Sequence, residues 1–186
     1  RCGVPLIEIV TEPDFRSADE VIAYLEKLRS TMDYLGVSDC KMQEGSLRCD
    51  VNLSVRPKGT TELGTRTEMK NLNSFKAIAK AIKYEAERQI DQIEEGKRII
   101  QETRRWDDNK DATFSMRSKE NAQDYRYFPE PDIPPMEISD AVLAAMKAEE
   151  PEMAAERKAR YQSEYGLSEY DAGILTGQKA LVDFFE

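Results

Sequence analysis

Residues 47–55 read LRCDVNLSV and residues 65–71 read TRTEMKN, and the fold turns on how these two short stretches alternate. In the first, Leu47, Cys49, Val51, Leu53 and Val55 point one way and Arg48, Asp50, Asn52 and Ser54 the other, the period of two of a half-buried strand. In the second, Arg66, Glu68 and Lys70 share one face and Thr65, Thr67 and Met69 the other. Joined through a turn around Pro57 and Gly59, they are expected to form a hairpin that aligns two charged faces. That wall is either the floor of a polar pocket or a solvated sheet surface whose cross-strand ion pairs contribute about 0.2 to 1 kcal/mol each.

Working outward, Ser17 and Glu20 make a capping box, and Val21, Leu25, Leu28, Met32 and Leu35 recur at helical spacing as far as Gly36. This predicts a helix over 17–35. Asn73 or Ser74 caps a second helix, with apolar positions Phe75, Ile78, Ile82, Ile90 and Ile93 and a stop at Gly96. Strand-like stretches at 99–106 and 113–117 flank turn-forming residues 107–111 and predict another hairpin. The expected class is α+β, mainly an antiparallel sheet with packed helices. Residues 125–135, YRYFPEPDIPP, hold four prolines and predict an extended crossing segment whose aromatic rings either pack or stack on a base. Beyond them 139–147, 151–165 and 168–185 read as helical, and the charged stretch 147–152 divides a sheet unit, 1–148, from the beginning of a helical one, 149–186.

Thirty-six acidic residues against 27 basic give a net charge of -9, which disfavours gripping nucleic acid by overall charge. Histidine is absent, so any catalysis runs on carboxylates, Lys, Arg and hard metal ions. Cys2, Cys40 and Cys49 have neither the number nor the spacing of a disulfide framework or a zinc site and are expected to be reduced packing thiols. No apolar run approaches the roughly 20 residues that cross a bilayer, which predicts a cytoplasmic protein, organellar in a eukaryotic source. The chain opens at Arg1 and closes within an apolar pattern at Glu186, and both ends are expected to be cut from something longer.

The apolar residues 4–10 predict a buried strand with Glu8 at its centre. A carboxylate there needs a partner, either a salt bridge to Arg16, Arg48 or Arg66 or a hard cation such as Mg²⁺. No Gly-rich phosphate loop, nucleophile elbow or kinase signature set is present, so any ATP binds in another way.

Seven stretches now stand in order: GVPLIEIVTEPD (3–14), AYLEKLRSTMDYLGVSD (23–39), EGSLRCDVNLSVRP (44–57), TEMKNLNSF (67–75), QETRRWD (101–107), DYRYFPEPDIPP (124–135) and AERKARYQSEYGLSEYDAGILT (155–176). Together they resemble the B subunit of the aspartyl/glutamyl-tRNA(Asn/Gln) amidotransferase, over essentially the whole chain. Where relatives commonly read MEEGSLRCD, this chain has Gln43 in place of the first glutamate.

The resemblance implies a subunit that uses ATP to phosphorylate the side-chain carboxylate of Glu-tRNA(Gln) or Asp-tRNA(Asn) and then amidates it with ammonia. That ammonia is released from glutamine by an amidase A subunit and reaches the site through an internal channel, with a small C subunit bracing the assembly. It also implies that 1–148 is the later part of a cradle-shaped catalytic domain, that 149–186 begins the helical domain, and that Glu8 of PLIEI serves a Mg²⁺ site whose other members lie upstream of Arg1. Arg48, Arg66 and Lys70 are then candidate catalytic contacts to phosphate, and Asp50, Asn52, Glu68 and Asn71 candidate walls of the pocket or channel. Alone, this chain is expected to be inactive. The competing expectation is a non-catalytic scaffold joining the amidase to tRNA.

Overall fold

Ser17 leaves the extended backbone at φ -147° with its hydroxyl accepting from the amide of Glu20, and the chain winds from there into α1, Ala18–Tyr34. The Glu20 carboxylate reaches back to the amide of Arg16 at 2.5 Å, one residue before the cap. Gly36, at φ 65°, carries the chain out of the helix in the left-handed region that favours glycine. The computed structural model describes residues 5–118 and 131–186, and of Arg117 and Ser118 the backbone only. A short 3-10 turn at Met42–Glu44 precedes β1, Val51–Leu53.

β1 pairs antiparallel with β2, Thr67–Lys70, in the register Val51 to Met69, Asn52 to Glu68 and Leu53 to Thr67. The expected pairing is present, but β1 is three residues long where the alternation runs over nine. The connecting loop folds back closely. A Cβ on Gly64 would lie 2.2 Å from the Val55 carbonyl oxygen, so only glycine allows that approach.

Ser74 caps α2, Phe75–Glu94, accepting from the amide of Ala77. The helix carries the chain across to β3, Glu102–Asp107, which runs parallel to β2. β4, Ala112–Ser118, then returns antiparallel to β3, with a register shift between Thr103 and Arg104. The expected hairpin is there, yet the sheet, ordered β1-β2-β3-β4, is mixed and not wholly antiparallel. A helix between β2 and β3 is what permits parallel neighbours, because a tight turn cannot reverse the chain twice.

α2 covers one face of this sheet, and α1 packs against α2. Between them and the strands Met69, Leu72, Ala77, Ile78, Ala81, Ile82 and Trp106 are buried, together with Ala18 and Leu25 of α1. The expected apolar stripe of α2 is corrected in its second half, since Ile90 and Ile93 are exposed while Glu85 and Gln89 face the strands, fully buried. Positions 78, 82, 85 and 89 form one continuous helical stripe, and 90 and 93 fall beside it.

After 131–135, which are exposed, come α3 (Asp140–Ala148), α4 (Ala154–Tyr165), α5 (Glu169–Leu175) and α6 (Lys179–Phe185). The single helix expected over 168–185 is two helices, parted at Thr176. Tyr34 at the end of α1 donates its hydroxyl to the Thr176 carbonyl at 2.8 Å, and Asp33 accepts from the Lys179 amide at 2.9 Å. Breaking the helix frees both groups for α1. Tyr161, buried, packs on Tyr165 and Phe185 within the helical end. Residues 125–130 of the expected crossing segment lie outside the described residues, as does Cys2.

Candidate functional site

The face of the sheet away from α2 gathers Asp50, Asn52, Glu68 and Lys70 from the two alternating stretches. The Lys70 ammonium sits 2.5 Å from Asp50 Oδ2 and 3.4 Å from Glu68 Oε1. Glu68 also accepts from the Thr103 hydroxyl at 2.8 Å, so β3 braces the pair from the other side. Asn52 lies opposite Glu68 in the register, and Arg105 of β3 lies beside Lys70. The hydrogen bond to Asp50 raises the Lys70 pKa above its ordinary value, burial opposing it more weakly. Lys70 is thus a cation held in place by two carboxylates.

Beside this pair a shallow polar recess of about 360 Å³ is lined by Gln43, Glu44, Arg48, Asp50, Asn71 and Asn73, among others. Its rim is exposed at Arg48. Asn71 adopts φ 65° and donates its amide to the Trp106 carbonyl at 3.0 Å, so that side chain is engaged in tying β2 to the end of β3. Arg66 is exposed just ahead of β2. Of the expected site residues, Asp50, Asn52, Glu68 and Lys70 are brought together on one face, and Arg48 and Asn71 flank it.

Glu8 stands apart. Residues 5–10 form no strand, and Leu6, Ile7, Ile9 and Val10 are exposed, as is Glu8 itself. The expected burial of its carboxylate is therefore corrected, and among the described residues it makes no ion pair with Arg16, Arg48 or Arg66. Apolar side chains alone did not make a strand here, because a strand also needs a neighbour for its backbone groups. Among the described residues no three His, Cys, Asp or Glu converge as a metal site. By themselves these residues do not fit a Mg²⁺ ion.

Behind the polar face lies a cluster that the alternation does not announce. The buried Glu85 carboxylate accepts from Arg88 at 2.6 and 2.9 Å, from the hydroxyls of Thr67 and Thr113 at 2.9 Å each, and from Gln89 at 3.2 Å. Arg104 Nε lies 3.3 Å away. Burial, the largest single influence, pushes the carboxyl up, but the hydrogen bonds of Arg88 and Gln89, the Arg88 charge and Thr67 together outweigh it and hold it below its ordinary pKa. Gln89 in addition donates to the Leu53 carbonyl at 3.2 Å and to Thr67 at 2.9 Å. The signal in sequence was the spacing of Glu85, Arg88 and Gln89, continuing the Ile78 and Ile82 stripe with polar residues.

Cys40 is buried and Cys49 half-buried, and neither is in a disulfide. Burial, with the Asp50 charge adding to it, pushes the Cys49 thiol up to about 11, as expected of a packing cysteine. Among the described residues no helix is long and apolar enough to cross a membrane.

Comparison with known proteins gives this arrangement its context. Residues 1–144 match the family described as the GatB/GatE catalytic domain. The whole chain is 68% identical to the B subunit of the aspartyl/glutamyl-tRNA(Asn/Gln) amidotransferase of Lachnoclostridium phytofermentans, covering 39% of that protein. It is 65% identical to the protein of the same name from Lachnospira eligens, covering 38%, and 58% identical to that of Hahella chejuensis, covering 39%. The chain thus spans about two fifths of the length of these curated relatives. With more than three quarters of its residues inside the match, this chain belongs to the GatB/GatE catalytic-domain family.

Proposed function

We propose that the full-length protein carrying this chain is the B subunit of a tRNA-dependent amidotransferase, a ligase of protein biosynthesis. The family match over residues 1–144 carries this reading. ATP transfers its γ-phosphoryl group to the side-chain carboxylate of Glu-tRNA(Gln) or Asp-tRNA(Asn), leaving ADP and an acyl phosphate. Ammonia then attacks the acyl carbon, phosphate departs with the C–O bond, and the nitrogen sheds a proton to leave the amide. Neither step needs a protein nucleophile; both need cations near phosphate oxygens.

The polar face of β1 and β2 supplies those cations. Lys70, held by Asp50 and Glu68, is the best placed, with Arg48 and Arg66 beside the recess and the strand. Asp50, Asn52, Glu68 and Asn71 are proposed to line the pocket or the ammonia channel. The cofactors of the whole protein are ATP and Mg²⁺, and Glu8 is proposed as one carboxylate of the metal site on the strength of its PLIEI motif alone.

The partners are an amidase A subunit that releases ammonia from glutamine, a small C subunit and the misacylated tRNA, in the cytoplasm or, in a eukaryote, an organelle. Residues 1–148 belong to the cradle and 149–186 open the helical domain. The test is ATP turnover by the full-length protein in its complex. Turnover that requires misacylated tRNA, and falls on Lys70→Met while glutamine hydrolysis persists, supports the catalytic reading. Tight tRNA binding with no tRNA-dependent ATP turnover would support a scaffold.

A further inference from the structure

Strands of three and four residues do not fix their own register. A slip of β2 by one residue against β1 would turn Glu68 and Lys70 from the open face to the helix-covered one. From within the sheet that slip is resisted by three paired positions with β1 and three with β3.

Further resistance comes from behind. The Leu53 and Thr67 pair, next to the Asn52 and Glu68 pair, is pinned to α2 on both strands: Gln89 holds the Leu53 carbonyl, and Thr67 both donates to Glu85 and accepts from Gln89. Every one of these groups except the Leu53 backbone is fully buried. In any other register Glu85 would lose a donor and remain a buried charge, a state far costlier than the loss of a surface contact. Thr113 makes the same kind of bond to the same carboxylate from β4, a strand that carries none of the proposed site residues.

We infer that Thr67 is a positioning residue, which through its bonds to Glu85 and Gln89 locks the β1–β2 register in which Glu68 and Asp50 hold Lys70 toward the reacting phosphate. This rests on the catalytic reading given above. Thr67 touches no substrate; its effect runs through the strand whose next residues are Glu68 and, three along, Lys70.

The experiment uses the full-length protein in its complex and reads misacylated-tRNA-dependent ATP turnover beside melting temperature. Thr67→Val is expected to lower kcat by about tenfold to a hundredfold with KM for ATP little changed, as a displaced contact group does. Thr113→Val should lower the melting temperature comparably yet keep kcat, and Thr67→Ser, which retains the hydroxyl, should restore it. Gln89→Met cuts the bonds to Leu53 and Thr67 while leaving both arginines on Glu85, carries the same expectation, and decides the matter should Thr67→Val not fold. Equal losses of melting temperature with kcat unchanged in Thr67→Val or Gln89→Met would overturn the inference. Should Lys70→Met keep full turnover, the catalytic reading of this face fails and the positioning role fails with it; an inactive Lys70→Met beside a fully active Thr67→Val removes the inference alone.

Discussion

Lys70 Nζ and Asp50 Oδ2 lie 2.5 Å apart across the β1–β2 pair, on the face of the sheet turned away from α2. The bond raises the Lys70 pKa, so the charge it contributes to stability is fully present below the ordinary value of 10.5 and is lost only as pH rises through the higher folded value. Asp50→Asn is expected to bring the lysine titration down toward 10.5, read by NMR at the side-chain nitrogen. An unchanged titration would show that Asp50 is not its main partner.

Glu85 is a fully buried carboxylate on which donors from α2, β2 and β4 converge. Its removal in Glu85→Ala leaves Arg88 without its carboxylate and Arg104 with Glu102 alone, and a loss of about 3 to 5 kcal/mol is expected, measured by denaturant unfolding. Substituting Ile93, which is exposed, by Gln should change stability by no more than about 0.5 kcal/mol.

Acid provides a second measure of the same group. Because the folded-state pKa of Glu85 is depressed, its contribution is present above the ordinary value of 4.5 and disappears as pH falls through the lower folded value. The melting temperature of the wild type should therefore drop more steeply below pH 4.5 than that of Glu85→Gln. Parallel curves would remove Glu85 from the acid response.

The two described thiols should be inert. With Cys49 pushed up to about 11 and Cys40 buried, alkylation by iodoacetamide near neutral pH is expected to be slow in the native protein and to become complete on unfolding. Rapid native labelling of either would contradict this packing.

At the other end, Tyr34→Phe deletes the hydroxyl that reaches the Thr176 carbonyl. A loss of about 1 kcal/mol is expected, with faster amide hydrogen exchange over α5 and α6 and unchanged exchange in β2 and β3. Equal acceleration throughout would mean that the helical end and the sheet open as one unit.

The elements with a local cause were legible in the sequence. Ser17 and Ser74 cap the two long helices because a hydroxyl there meets amides that the helix leaves free, and the alternation around Val51 and Met69 decides which face is polar. The polar face of Asp50, Asn52, Glu68 and Lys70 follows from that alternation alone. What only the tertiary structure decided has causes distant along the chain. Glu85 and Gln89 are polar by identity, which alone predicts a solvated position, yet they are buried because Thr67, Thr113, Arg88 and Arg104 meet them there. The parallel pairing of β2 with β3 depends on where α2 returns the chain, and the break at Thr176 on what Tyr34 and Asp33 need. Glu8 marks the opposite case, where an apolar pattern lacks the neighbouring strand that would make it a strand. A local pattern specifies conformation and facing, but burial of a charge or pairing of a strand is set by the partners that the rest of the fold delivers.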